Sequence, residues 1–235
     1  MPENLKYELT NERITLPATS ERPEGIALYR IRALRNFYNV NGSISAGTLG
    51  GFVESYDNLS QDDSAWIADD AMVYDNAWVS GKSHIEGNAQ IFGNAKISDE
   101  VWVKDNSKIF GNAQVSGNVY IEHNVYVSGD AKISNKKGRT HLDGGMDIDD
   151  SAIVESNADV LFVKGFPTGG LLYNENITFF RTSKGEIRAY TLGLNSFPLS
   201  ELGKEIAFFR KDDAKVQKEI EMLIQLVQLH FSEEN

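Results

Sequence analysis

The chain contains no cysteine. That absence excludes disulfide staples, thiolate metal sites and cysteine nucleophiles together. Positive charge is also scarce: 23 lysines and arginines stand against 34 aspartates and glutamates, a formal net charge of -11 in 235 residues. The phosphate backbone rewards a basic surface, so nucleic-acid binding is not expected, and the acidic excess reads as a solubility device. No run approaches the roughly 18 apolar residues that cross a bilayer. The opening MPENLKYELT has neither the basic region nor the apolar stretch of a signal peptide. The expectation is a cytoplasmic protein with no membrane partner. Also missing are a Gly-x-Ser-x-Gly elbow, a P-loop and a dinucleotide fingerprint. Apolar residues, at 41% of the chain, are still sufficient for a core.

What is present is a period. An isoleucine or valine stands at every sixth residue for twelve positions: Ile67, Val73, Val79, Ile85, Ile91, Ile97, Val103, Ile109, Val115, Ile121, Val127 and Ile133. Four residues after each, as far as Ala131, comes a small or β-branched residue such as Ala71, Ser83, Ala95 or Val119. A strict six-residue period matches neither an α-helix nor a meander of hairpins. It does match a parallel β-helix, in which each short strand stacks on its equivalent one coil away. Glycine two residues after the aliphatic (Gly81, Gly87, Gly93, Gly111, Gly117, Gly129), often with a following asparagine, marks the corners. Three faces make an 18-residue coil, which would stack Asn76, Asn94 and Asn112 at one corner and Asn88, Asn106 and Asn124 at another.

Large and small inward residues alternate, which suits a narrow prism filled by its own side chains, so any site must lie outside. The same arithmetic places two aromatic columns on the outer surface: Trp66, His84, Trp102 and Tyr120 on one face, and Tyr74, Phe92 and Phe110 on another. Contiguous exposed aromatic surface marks a contact, whether with a second copy, with the chain's own terminal segments or with another molecule.

The expected fold is mainly β: a left-handed parallel β-helix of about five coils, with an N-terminal β cap over residues 1–57 and a C-terminal α+β subdomain over 166–235. Residues 58–165 form the prism, and the spacing of fifteen between Ile133 and Ile148 predicts a loop extruded at 134–147. That loop carries Lys136, Lys137 and Arg139, which could meet phosphate, together with His141 and Asp143. Beyond it, ITFFRT and EIRAYTL read as a hairpin, and the apolar residues Ile220, Leu223, Ile224, Val227 and Phe231, widened by Leu226 and Leu229, as the face of a terminal helix.

The order KYELT, LYRIRALRNF, LGGFVESYDNLS, Asn-Ala-rich hexapeptides and FFRTSKGEIRAY with a helical tail resembles a family of phage and prophage hexapeptide-repeat proteins, over nearly the whole chain. Members of that family are uncharacterised or assigned as transferases on fold analogy. The resemblance, the filled core and the missing catalytic constellation together point to a non-enzymatic binding protein. It would present the aromatic columns, the loop and the tail to a host protein or small signalling molecule, counteracting host defence, with no cofactor and no metal. A dimer or trimer through the aromatic faces or the terminal helix is expected.

Two alternatives stand beside that reading. One is an acyltransferase, which by resemblance would bind acyl-coenzyme A between neighbouring prisms and use His141 as general base, with Asp143 orienting its ring. The other is a virion or structural component. The histidine spacing does not resemble the three-histidine zinc site of γ-class carbonic anhydrases.

Overall fold

A computed structural model describes residues 5–20, 23–143, 146–148, 152–154, 160–166, 175–182, 184–191, 196–207 and 214–232. The described residues between Val53 and Val154 wind a parallel β-helix of about five turns. One face stacks Met72–Val73, Gln90–Ile91, Lys108–Ile109, Tyr126–Val127 and Asp147–Ile148 in parallel. A second stacks Trp78–Val79, Lys96–Ile97, Val115, Ile133 and Val154. The third stacks Trp66–Ile67, His84–Ile85, Trp102, Tyr120 and His141.

The period fills the prism as its spacing predicts. All twelve ladder aliphatics, and the eleven small or β-branched residues four positions after them as far as Ala131, are at most 1% exposed. At roughly 1.5–3 kcal/mol for each buried aliphatic, the ladder is a large stabilising term set against the chain entropy of ordering the coils. The asparagine corners form as well. Asn76, Asn94 and Asn112 each donate a side-chain amide to the carbonyl oxygen or carboxylate one coil on, ending at Asp130, and Asn88 and Asn106 do the same toward Asn124, at 2.9–3.2 Å. At the third corner Lys82 and Glu100 form an ion pair at 3.1 Å.

The corners also contain a device that turn propensity alone does not reveal. Asp69, Asp75, Asp99 and Asp105 take positive φ where other coils use glycine. Each of them, and Asp63, accepts with its carboxylate the backbone amide eighteen residues on, at Gly87, Gly93, Gly117, His123 and Gly81, over 2.6–3.2 Å. A corner amide that would otherwise lack a partner is thereby satisfied. At Gly81 nothing larger fits, because a Cβ there would lie 2.5 Å from the amide nitrogen of Asp99.

The expected extruded loop is narrower than the spacing suggested. Lys132–Leu142 is one strand, in register with its neighbour at Gly117↔Asn135 and again at Val119↔Thr140. Residues 136–139 therefore oppose residue 118 alone, and the stacking offset rises from 18 to 21. The coil continues: Leu142 is the next ladder residue, 1% exposed, followed by Ile148 and Val154. The spacing of fifteen is two repeats plus a three-residue corner bulge. The side chains of Lys136 and Lys137, and the Asp149-Asp150 pair, lie outside the described residues.

Both open edges are covered. At the start, β1 (Tyr7–Leu16), β2 (Ile26–Ala33) and β5 (Leu49–Val53) pair antiparallel, and β5 then joins the first face in parallel through Phe52↔Met72 and Val53↔Val73. The prism therefore begins earlier than residue 58. Between β2 and β5, the small hairpin of β3 (Phe37–Asn39) and β4 (Gly42–Ile44) folds onto the third face. At the other end a sheet of Val160–Phe166, Glu175–Arg181, Ile187–Thr191 and Phe197–Pro198 meets the last coil through Ala152↔Thr182. Phe180 faces the prism core, while Ile177 and Phe179 pack on a separate core with Leu202 of α1 (Leu202–Ala207) and Ile220, Leu223, Val227 and Phe231 of α2 (Ala214–Ser232). On the opposite side of α2, Met222, Leu226 and Leu229 are exposed.

In urea unfolding, Ile109→Ala is expected to cost about 2–5 kcal/mol, because it opens a cavity in a filled interior. Asn94→Ala, on an exposed ladder, is expected to cost about 1 kcal/mol or less.

Candidate functional site

The first aromatic column does not all face solvent. Trp66 is 0% and His84 1% exposed, since the β3–β4 hairpin lies over them. The Phe37 ring meets Trp66 edge-on at 5.6 Å. The Asn39 side-chain amide reaches His84 Nδ1 at 2.8 Å, and Val40 N donates to Lys82 O at 3.2 Å. These two members of the predicted binding set are therefore covered by the chain itself. Burial pushes the His84 pKa down, against the raising effect of Glu86. A neutral ring accepts at Nδ1 from Asn39 and donates from Nε2–H to Glu86 Oε2, 3.2 Å away, while the Asn41 amide, 3.1 Å from Nε2, donates to the same Glu86 oxygen at 3.3 Å.

The second column is covered at one end too. Tyr74, Phe92 and Phe110 stack with planes within 2° and centroids 4.9–5.1 Å apart. Tyr74 is buried under Ile26, Leu28 and Phe52. Beyond Phe110 the rank ends at Ser128, where a groove of about 320 Å³ is bounded by Tyr126, Ile148 and Tyr190.

Trp102 and Tyr120 remain open on the third face. Their centroids are 4.6 Å apart, and they floor a groove of about 250 Å³ walled by Asn39 and Val40 on one side and Asn118 and Arg139 on the other. The Arg139 guanidinium sits 5.4 Å from the Tyr120 ring, and its Nε donates to Asn118 Oδ1 at 3.4 Å. Arg139 is carried there by the corner bulge. Lys82 and Glu100 close the rim as an ion pair.

The bulge also moves His141. It is not held out in a loop but stacks on the aromatic column, with its ring edge-on to Tyr120 at 5.6 Å. Its Nε2 is 2.7 Å from Glu122 Oε1, while Asp143, the partner expected for it, lies 2.7 Å from His123 Nδ1. Lys104 Nζ is 2.6 Å from the other oxygen of Glu122. Burial alone would push the Glu122 carboxyl up, but the hydrogen bonds from Lys104 and His141 outweigh it and hold the pKa low. The hydrogen bond to Asp143 raises that of His123.

Donor atoms of Glu122, His141 and Asp143 lie within 4.8 Å of one another, as do those of Asp105, Glu122 and His123. The first of these groups is not foreseen by counting in eighteens, because His141 and Asp143 meet Glu122 only at the offset of 21. A signal was available: Thr140-x-Leu142 repeats the small-x-aliphatic spacing of Ala89-x-Ile91.

No family model matches this chain, and no curated protein sequence matches it.

A neutral buried histidine has a definite pH signature. The folded pKa of His84 lies below its ordinary value of 6.5, so its contribution to stability is complete above pH 6.5 and falls away as the pH drops through the folded pKa. Between pH 7 and 5 the native protein is expected to lose stability faster than His84→Gln, with a difference in slope of at most ~1.4 kcal/mol per pH unit. Thermal unfolding across that range measures it.

Proposed function

We propose that this is a non-enzymatic binding protein of the phage hexapeptide-repeat type, in which a rigid β-helix holds out the Trp102–Tyr120 groove. One observation carries the reading: in a column whose first members are covered by the chain's own hairpin, two aromatic rings are left open beside a guanidinium. An aromatic floor accepts the face of a ring, and Arg139 adds a bidentate donor for a carboxylate or phosphate. The ligand class that fits is a small molecule with a planar ring and an anionic group, such as a host signalling molecule; sequestering it would counteract host defence. Self-association belongs to the same reading, supported by the exposed Met222, Leu226 and Leu229 of α2.

The acyltransferase reading retains one supporting observation, the exposed His141 with its ring held by Glu122 at 2.7 Å. The two readings differ in turnover. When the protein is mixed with a host metabolite extract, desalted and weighed by native mass spectrometry, the binding reading expects a retained small mass. Retention should fall about tenfold or more (~1.4 kcal/mol) in Trp102→Ala and in Arg139→Ala. Acyl transfer by pure protein, abolished by His141→Ala, would favour the enzyme instead.

A further inference from the structure

Glu86, Lys104, Glu122 and Asp143 stand in one outward column, each directly following a stacked ladder residue. The charges alternate as far as Glu122. Lys104 lies between two acids and pairs with the second. Asp143 then breaks the alternation by placing a second carboxylate one strand, or about 4.8 Å, from Glu122. Like charges directly opposed across strands destabilise a sheet, and what surrounds this pair is not another lysine but two imidazoles. His141 Nε2 is 2.7 Å from Glu122 Oε1, and His123 Nδ1 is 2.7 Å from Asp143 Oδ1 and 3.9 Å from Glu122 Oε1.

We propose that Glu122, His141, Asp143 and His123 bind a divalent transition-metal ion of the zinc class. The donor set selects the class: two imidazoles favour zinc, cobalt or nickel over magnesium and calcium, and without thiolates a soft monovalent ion gains little. A tetrahedral ion with bonds of about 2.0–2.1 Å needs donors roughly 3.3 Å apart. Donor atoms of Glu122, His141 and Asp143 already lie within 4.8 Å of one another, and His123 joins them through Asp143 Oδ1 at 2.7 Å and Glu122 Oε1 at 3.9 Å. Bringing all four donors to tetrahedral spacing requires the exposed His123 and His141 side chains to turn toward each other. Two further contacts border the site. Lys104 takes Glu122 Oε2, so the oxygen turned toward His141 and His123 is Oε1, and the remaining nitrogen of His123 lies 3.7 Å from Asp105 Oδ2, where the carboxylate attracts the ring without a hydrogen bond to it.

This site is separate from the groove and does not depend on a ligand being held there. The test uses untagged, full-length protein stripped with a chelator and titrated with zinc by calorimetry and with cobalt by visible absorption. Because the chain has no cysteine, an intense tetrahedral cobalt band can arise only from nitrogen and oxygen donors. One equivalent is expected to bind. Affinity should fall at least tenfold in His141→Ala and in Asp143→Asn, and stay unchanged in His230→Ala on α2. Both substituted side chains are exposed, and circular dichroism verifies that each variant is folded. No stoichiometric binding, or binding that both variants retain, would overturn the proposal and leave the cluster as histidine–carboxylate pairs alone.

Discussion

Stacking one coil on the next forces equivalent residues into contact with each other, and among the described residues the interior is filled by the chain's own aliphatic and small side chains. Under that constraint each choice along the sequence is made once per coil. Isoleucine meets isoleucine, asparagine passes a hydrogen bond to asparagine, and an aspartate at a corner holds the amide of the corner above. Among the described residues, a prism so filled leaves its interior to the chain's own side chains. Whatever chemistry it has must be written on its outside, where the same register lines side chains up in columns.

The regular columns are mostly used by the protein itself. Trp66 and His84 lie under the β3–β4 hairpin, and Tyr74 lies under β2 and β5. Chemistry gathers where the register changes. The bulge at residues 136–139 adds three residues to one coil, and with them it swings Arg139 over Tyr120 and lifts His141 and Asp143 onto the Tyr120 and Glu122 columns. An aromatic groove and a histidine–carboxylate cluster thus arise next to each other from a single local insertion. On the proposed reading, the scaffold supplies rigidity and the insertion supplies specificity.

The parts legible in the sequence were those that the period dictates. The twelve-rung ladder, both asparagine corners and the membership of the aromatic columns follow from counting in sixes and eighteens, because parallel stacking leaves no other partner for those residues. Burial of the columns was not legible: the residues that cover them, Phe37, Asn39 and Val40, lie in a hairpin with no periodic signature. The break after Ile133 looked like a loop because its one aliphatic, Leu142, is displaced by three residues among Lys, Gly, Arg and Asp. The small-x-aliphatic pair Thr140-x-Leu142 was the available clue. The bonds of the corner aspartates run to amides eighteen residues away, which local turn propensity does not describe.

The central claim is therefore a register: residue 120 stacks on residue 141, not on residue 138. A chain without cysteine allows this to be read directly with engineered pairs. Parallel neighbours stand about 4.8 Å apart, within the ~4.4–6.8 Å over which Cα atoms can be bridged by a disulfide. Tyr120→Cys with His141→Cys is expected to cross-link rapidly under mild oxidation or with a short thiol reagent such as dibromobimane, while Tyr120→Cys with Gly138→Cys is not. Efficient cross-linking of the second pair and not the first would restore an eighteen-residue coil through this segment, and with it remove the geometry on which both the groove wall and the cluster depend.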